Sequence, residues 1–419
     1  MASEVKSEPD FSFKKADSEM GMAENKKNST LSINGKRRFK KRSHLFPCMR
    51  LDEEVPTEER PDGDGGLDVE AAGKGQRSTH LVVMVNGIIG SAENWKFSAK
   101  QFVRAFPKDV IVHCSKSNSK TLTFDGIDVT GRRLAHEVIS VVQRYPDLQK
   151  ISFIGHSLGG LISRYAIAKL YSQGCAEKRN GEGVTVNGCK CNSSVLRKGN
   201  IAGLEPVNFI TIATPHLGCR GHKQVPAFCG LYSMEKAASR ASWMLGRTGR
   251  HLFLTDNNKG KDPLLVQMAT DSEDLPFISA LEAFKRRVAY ANIHFDQIVG
   301  WSTSSIRPTN ELPKRKNLIM KSIIEKYPHI VNLEAAAKNS TSQQSQGSVV
   351  IARTKHKATH FEEAMIKGLT TKLSWDRVDV SFRGSKQRFF AHNAIQVQTY
   401  CLNSDGADVI QHMIDNFVL

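Results

Sequence analysis

Ile151-Ser152-Phe153-Ile154-Gly155-His156-Ser157-Leu158-Gly159-Gly160 is the stretch on which the fold turns. An apolar run suited to a buried strand leads into a G-x-S-x-G pentapeptide, and a helical apolar period follows through Leu161, Tyr165, Ala168 and Leu170. A chain that leaves a strand, turns sharply and enters a helix has no room for side chains two before and two after the apex. Gly155 and Gly159 occupy those positions. Ser157 stands at the apex, where the turn would hold its hydroxyl above the sheet, and the N–H of Leu158 points into the same space. Ser157 is therefore the candidate nucleophile, and the Leu158 N–H a candidate oxyanion donor.

Outward from this point the pattern is that of alternating strands and helices. Leu81 to Val85 reads as a buried strand, and Trp95, Ala99, Phe102, Val103 and Phe106 line a helix. Val110 to His113 returns as a strand, and Leu134, Val138, Val141 and Val142 mark a second helix. Val207 to Ala213, Val288 to Ile293 and Val378 to Phe382 extend the series, and Ile410, Met413, Ile414 and Phe417 close it as a helix. Such alternation requires a doubly wound, mostly parallel α/β sheet.

A serine hydroxyl needs a positioned histidine, and the histidine a carboxylate. In a sheet of this kind functional groups gather at the carboxyl ends of strands, and the order along the chain is serine, acid, histidine. His392, between the last strand and the closing helix, is the candidate base. His412 lies inside that helix, beside its apolar stripe, and is set aside. Asp296 follows the strand that begins at Val288 and is the candidate acid. Asp262 is the next choice, and Asp256 and Asp271 share its drawback of following no strand. The second oxyanion donor is expected from the loop Asn86-Gly87-Ile88-Ile89-Gly90, through the N–H of Ile88. Ala213-Thr214-Pro215-His216-Leu217-Gly218 should wall the site, with His216 structural because it precedes the acid.

The chain has 419 residues, long enough for one α/β domain with insertions. Residues 1 to 76 are polar and without period, and are expected to be a disordered tail; residues 77 to 419 form the domain, with 217 to 285 a helical insertion that could serve as a lid or equally be packed on the core. The formal charge is +17, and residues 1 to 79 hold 15 basic and 15 acidic side chains, so the excess lies wholly in the remainder. A basic surface favours anionic ones, phospholipid or nucleic acid, and no nucleic-acid motif accompanies it. The run Lys36 to Arg42 is left unassigned. No apolar stretch reaches the roughly 20 residues of a membrane span, and the first residues lack a signal-peptide core, so a cytoplasmic or peripheral-membrane protein is expected. The eight cysteines read as free thiols; Cys175, Cys189, Cys191, Cys219 and His222 match no usual zinc spacing, and neither metal nor cofactor is expected.

Taken together, His80-Leu-Val-Val-Met-Val-Asn-Gly, Gly155-His-Ser-Leu-Gly-Gly160 and Ala213-Thr-Pro-His-Leu-Gly218 resemble the putative serine esterase family, a lipase-like branch of the α/β hydrolases, in the manner of its plant members. The resemblance runs from about His80 to the C-terminus, and Asp296 and His392 fall where that family places its acid and base. It implies the α/β-hydrolase fold and hydrolysis of acyl esters, of phospholipid or acylglycerol type, on membranes or lipid droplets. One departure is that Asn86-Gly87 replaces the family's His-Gly. Two other readings stand beside hydrolysis. One is a catalytically weak fold kept as a lipid- or protein-binding module; the other is an acyltransferase with the same triad.

Overall fold

The alternation is present as a nine-stranded sheet among the residues that the computed structural model describes, 57–61, 67–71, 78–179, 199–219, 245–257, 260–314, 325–336 and 357–419. Its strands are β1 (Thr57–Pro61), β2 (Leu67–Ala71), β3 (His80–Val85), β4 (Val110–Cys114), β5 (Lys150–His156), β6 (Glu205–Ile212), β7 (Arg286–Asn292), β8 (Ile330–Glu334) and β9 (Asp376–Val380). They lie in the order β1-β2-β4-β3-β5-β6-β7-β9-β8. β4, β3, β5, β6, β7 and β9 are mutually parallel, whereas β2 on one margin and β8 on the other run antiparallel to their neighbours. The registers Met84↔Cys114, Val85↔Gly155, His156↔Ile212 and Asn292↔Val380 bring the carboxyl ends to one edge.

Each central strand is apolar on both sides, because both faces are covered. Val83 and Val85 of β3 and Phe153 of β5 face one core with helices α2 (Ile127–Arg144), α3 (Leu158–Arg179) and α4 (Lys357–Thr371). Val82, Met84 and Ile154 face the other, with α1 (Lys96–Ala105) and α5 (Ala407–Asp415). Phe153 is fully buried with the Phe284 ring edge-on at 6.3 Å, so its truncation to alanine would cost about 3–5 kcal/mol.

The structure departs from the sequence reading in two places. First, β1 and β2 lie inside the segment 1–76 expected to lack order. Val69 is buried in the core beside β4, and Asp68, also buried, accepts hydrogen bonds from His113 Nδ1 at 2.5 Å and from the Tyr145 hydroxyl at 3.0 Å. His113 Nε2 donates in turn to Glu137 at 3.1 Å, and Glu137 also accepts from the hydroxyls of Ser115 and Ser117. A polar hairpin is thus pinned by buried charge. Second, β8 was not anticipated.

Of the two readings open for 217–285, the described part fits the packed insertion. Leu252, Phe253, Leu265, Phe277, Ile278 and Leu281 belong to the α2–α3 core, and short helices at Gly246–Leu252, Leu264–Gln267 and Phe277–Glu282 carry them. Phe228, Leu231, Met234, Trp243 and Met244 of that insertion lie outside the described residues, as do the basic run 36–42, Cys189, Cys191 and His222. No helix among the described residues is long and apolar enough to cross a membrane.

Candidate active site

β5 delivers Ser157 as the sequence suggests. The residue has φ 53°, a left-handed conformation that a residue with a side chain adopts only where its surroundings hold it there. The holding groups are identifiable. The Ser157 N–H donates to Ile212 O at 2.8 Å, the Gly160 N–H donates to Ser157 O at 3.2 Å, and α3 starts at the next residue. A Cβ on Gly155 would stand 2.6 Å from Gly160 Cα, and one on Gly159 would run into the carbonyl oxygen of Val85. The two glycines are therefore required by close backbone approach, between the arms of the turn and between α3 and β3.

The loop after β7 positions Asp296. Its Oδ1 accepts the N–H groups of Ile298 at 3.0 Å and Val299 at 2.8 Å, and its Oδ2 accepts Asn292 Nδ2 at 3.0 Å and His392 Nδ1 at 3.0 Å. Burial alone would raise this carboxyl, but the charge of His392 and these four donors outweigh it and hold the group below the usual carboxylate range. Oriented by Asp296 at Nδ1, His392 has Nε2 as its remaining ring nitrogen. His392 lies in the short helix Ala391–Ala394, where a loop was expected, and is buried. The His156 and His392 rings are 4.7 Å apart, and His156 adjoins Ser157 in sequence. Among the described residues no hydrogen bond links the Ser157 hydroxyl to His392.

The loop Asn86–Gly90 follows β3 and abuts the elbow, since a Cβ on Gly87 would lie 2.9 Å from Ser157 Cβ. Asn86 Nδ2 donates to Gly87 O and Asn118 O, each at 3.0 Å, which gives this loop a side-chain support of its own. The Ile89 N–H is taken by Thr123 Oγ1 at 3.0 Å, whereas the N–H groups of Ile88 and Leu158 have no acceptor among the described residues. These are the two N–H groups that the sequence assigns to an oxyanion.

Other sequence candidates are placed elsewhere. Asp262 is exposed. Asp256 accepts the Leu264 N–H, and Asp271 accepts the N–H groups of Ile278 and Ser279, so both cap short helices. His412 is buried against Tyr290, whose hydroxyl lies 2.9 Å from its Nδ1; it sits on the core side of α5 and not beside the apolar stripe. His216 is fully buried, with Nε2 3.0 Å from Thr211 Oγ1 and its carbonyl accepting from Arg164 at 3.4 Å, a wall residue. Among the described residues no three His, Cys, Asp or Glu side chains are grouped to hold a metal ion.

Two residues of the site escaped the sequence reading. His156 Nε2 donates to His392 O at 2.7 Å; burial, reinforced by the nearby His392, lowers its pKa to about 3, so it is neutral. Asn292 Nδ2 joins Asp296 to Ala391 O at 3.1 Å and so links the acid's loop to the base's. His156 is the variable residue of the pentapeptide, and Asn292 is the final residue of β7; neither position is marked by any periodicity.

A parallel sheet of this order, with a left-handed serine at the strand-to-helix turn and an Asp–His pair beyond later strands, defines an α/β hydrolase. The chain belongs to the putative serine esterase family (DUF676), whose profile matches residues 75–306. It is 30% identical over 235 residues to the putative lipase ROG1 of Saccharomyces cerevisiae, covering 55% of this chain and 29% of that protein. It is 25% identical over 272 residues to the putative lipase C4A8.10 of Schizosaccharomyces pombe, covering 63% and 30%. The chain thus spans less than a third of the length of these relatives. Among solved structures, esterase B of Lactobacillus rhamnosis superposes with TM-score 0.38 at 10% identity, over 86% of this chain and 91% of that one. An α/β-hydrolase superfamily protein of Enterococcus faecalis gives TM-score 0.35 at 12% identity, over 60% and 84%.

Proposed function

We propose that the protein is a serine carboxylic-ester hydrolase acting on acyl esters of lipids. The observation that carries this reading is the buried Asp296–His392 hydrogen bond of 3.0 Å on the same edge as the left-handed Ser157. Ser157 Oγ attacks the ester carbonyl carbon while His392 Nε2 takes its proton. Asp296 keeps the Nδ1 proton on the histidine and stabilises the imidazolium, remaining ionised itself. The oxyanion is held by the N–H groups of Leu158 and Ile88. His392 then returns the proton to the leaving alcohol, and water repeats the sequence to free the acid and the serine.

The family's name and the curated relatives named as lipases support the ester substrate; the lipid character and contact with an anionic membrane or lipid-droplet surface are our extension of it. The test is labelling by a fluorophosphonate probe of wild type, Ser157→Ala and His392→Ala, followed by hydrolysis of a soluble short-chain ester. Labelling of wild type alone, with turnover, is the expected result. A wild type that neither labels nor turns over, with or without detergent, refutes the reading.

A further inference from the structure

Six large apolar side chains on the segments that follow the carboxyl ends of the strands stand in water. Ile89 is 61% exposed, Leu122 45%, Phe389 and Phe390 60% each, Tyr400 52% and Leu402 65%. The other exposed large apolar residues among those described are Leu333 and the terminal Val418 and Leu419, so this exposure is concentrated and not scattered. Single exposed apolar residues need no explanation; a cluster does.

The six share one edge of the sheet. Ile89 lies two residues beyond Gly87, and its N–H ties it to Thr123, the neighbour of Leu122. Phe389 and Phe390 precede His392 in the segment after β9, and the Phe389 ring meets Phe295, beside Asp296, edge-on at 5.8 Å. Tyr400 stacks at 4.8 Å on Phe97, in the first turn of α1.

Charge completes the pattern. From Phe382 to Leu402 the chain holds Arg383, Lys386 and Arg388 and no acid. Arg383 and Lys386 are exposed, as is Lys120 beside Leu122, and the Arg388 guanidinium lies over the Phe389 ring at 4.8 Å. Of the acids nearby, Asp125 is paired with Arg133 at 2.6 Å, Glu93 is exposed, and the partly buried Asp405 carboxylate accepts from the Ser385 hydroxyl between Arg383 and Lys386, so three exposed cations on this edge face two acids that no cation pairs among the described residues. Aromatic rings interleaved with lysine and arginine match a boundary whose outer layer is anionic and whose inner layer is hydrocarbon. A folded protein partner offers no such layering, and interface cores are depleted in lysine.

We propose that this edge docks on an anionic phospholipid surface. Phe389, Phe390 and Leu402 enter the acyl boundary, and Arg383, Lys386 and Lys120 meet the headgroup phosphates. The inference rests on the hydrolase reading above and deepens it, since it names the surface from which the same site draws its ester.

The test is flotation of the full chain with vesicles of phosphatidylcholine alone and of phosphatidylcholine mixed with phosphatidylserine. Wild type and Ser157→Ala should float equally, because docking needs no chemistry, and both should prefer the anionic vesicles. Arg383→Ser/Lys386→Ser should weaken anionic partition about thirtyfold, from roughly one kcal/mol per cation near such a surface. Phe389→Ser/Leu402→Ser should weaken it about tenfold or more. Melting temperatures close to wild type show that these exposed positions leave the fold intact. Absence of wild-type flotation, or equal flotation of wild type and both double variants, overturns the proposal. Flotation without hydrolysis of a soluble ester refutes the hydrolase reading alone; hydrolysis without flotation refutes docking alone.

Discussion

His156 Nε2 donates to the backbone carbonyl oxygen of His392 at 2.7 Å, so the residue before the candidate nucleophile holds the main chain of the candidate base. The bond spans 236 positions of sequence and fixes the separation on which proton transfer depends. Misplacing a reacting group by an ångström can cost about a hundredfold in rate. His156→Phe should therefore lower kcat by about tenfold to a hundredfold with KM little changed, and His156→Gln, which keeps a donor, should recover part of it. Burial holds the His156 pKa at about 3, so the acid limb of the pH profile should be the same in wild type and His156→Gln. A change confined to KM would contradict the positioning role.

Asp296 receives two backbone N–H groups on one oxygen and Asn292 and His392 on the other. An amide has one acceptor oxygen, so Asp296→Asn must turn an NH2 group toward donors, whichever way it faces. We expect a loss of about 10⁴ in kcat together with a measurable fall in melting temperature. Activity retained within tenfold would remove Asp296 from the acid's role.

Gly159 is fixed by backbone and not by a movable side chain. A methyl there meets the carbonyl oxygen of Val85 and lies 2.7 Å from that of Asn86. Gly159→Ala should cost roughly 3 kcal/mol or more and abolish fluorophosphonate labelling. Gly203, with φ 82° and nothing within 4 Å of the added atom, is the control: Gly203→Ala should cost only about 1 kcal/mol and label normally. Thermal melting and gel fluorescence together check both.

The Asp68–His113–Glu137 cluster predicts the alkaline limit of stability. Burial would lower His113, but its hydrogen bonds to Asp68 and Glu137 outweigh this and raise it from 6.5 to about 9. A pKa raised on folding stabilises fully below about pH 6.5, and the contribution is lost as pH rises through about 9. Glu137 runs the other way: burial opposes its ionisation, the bond to His113 and the two serines prevail, and its pKa of about 2 means the contribution disappears as pH falls toward that value. The contribution, on the order of 2 kcal/mol, is thus fullest in mildly acidic solution. Melting temperature should drop between pH 7 and about pH 9.5 in wild type, and His113→Gln should flatten that drop; parallel curves would show the cluster to be uncharged.

The six parallel strands were legible because a strand covered on both faces is apolar without interruption, as in Leu81 to Val85 and Ile151 to Ile154. The outer strands were not. β1 reads Thr57-Glu-Glu-Arg-Pro61 and β8 reads Ile330-Val-Asn-Leu-Glu334; their polar residues resemble those of loops, and in β8 Leu333 and Glu334 face water. The same contrast divides the site. Ser157 was marked by its glycines, and Asp296 and His392 by their places after strands. Asn292 and His156 act through main-chain oxygens of residues 391 and 392, and no local pattern encodes a partner so distant.

The antiparallel strands on the two margins have a bearing on solubility. A parallel core ending at β4 and β9 would present two rows of unpaired amides, each a template for another copy of the same chain. β2 covers one row and β8 the other, and β1 pairs in turn with β2. Cutting the chain just before the family match at residue 75 would therefore do more than shorten it. It would uncover β4, strand the charge of His113 without Asp68, and turn that flank into a seed for edge-to-edge self-association.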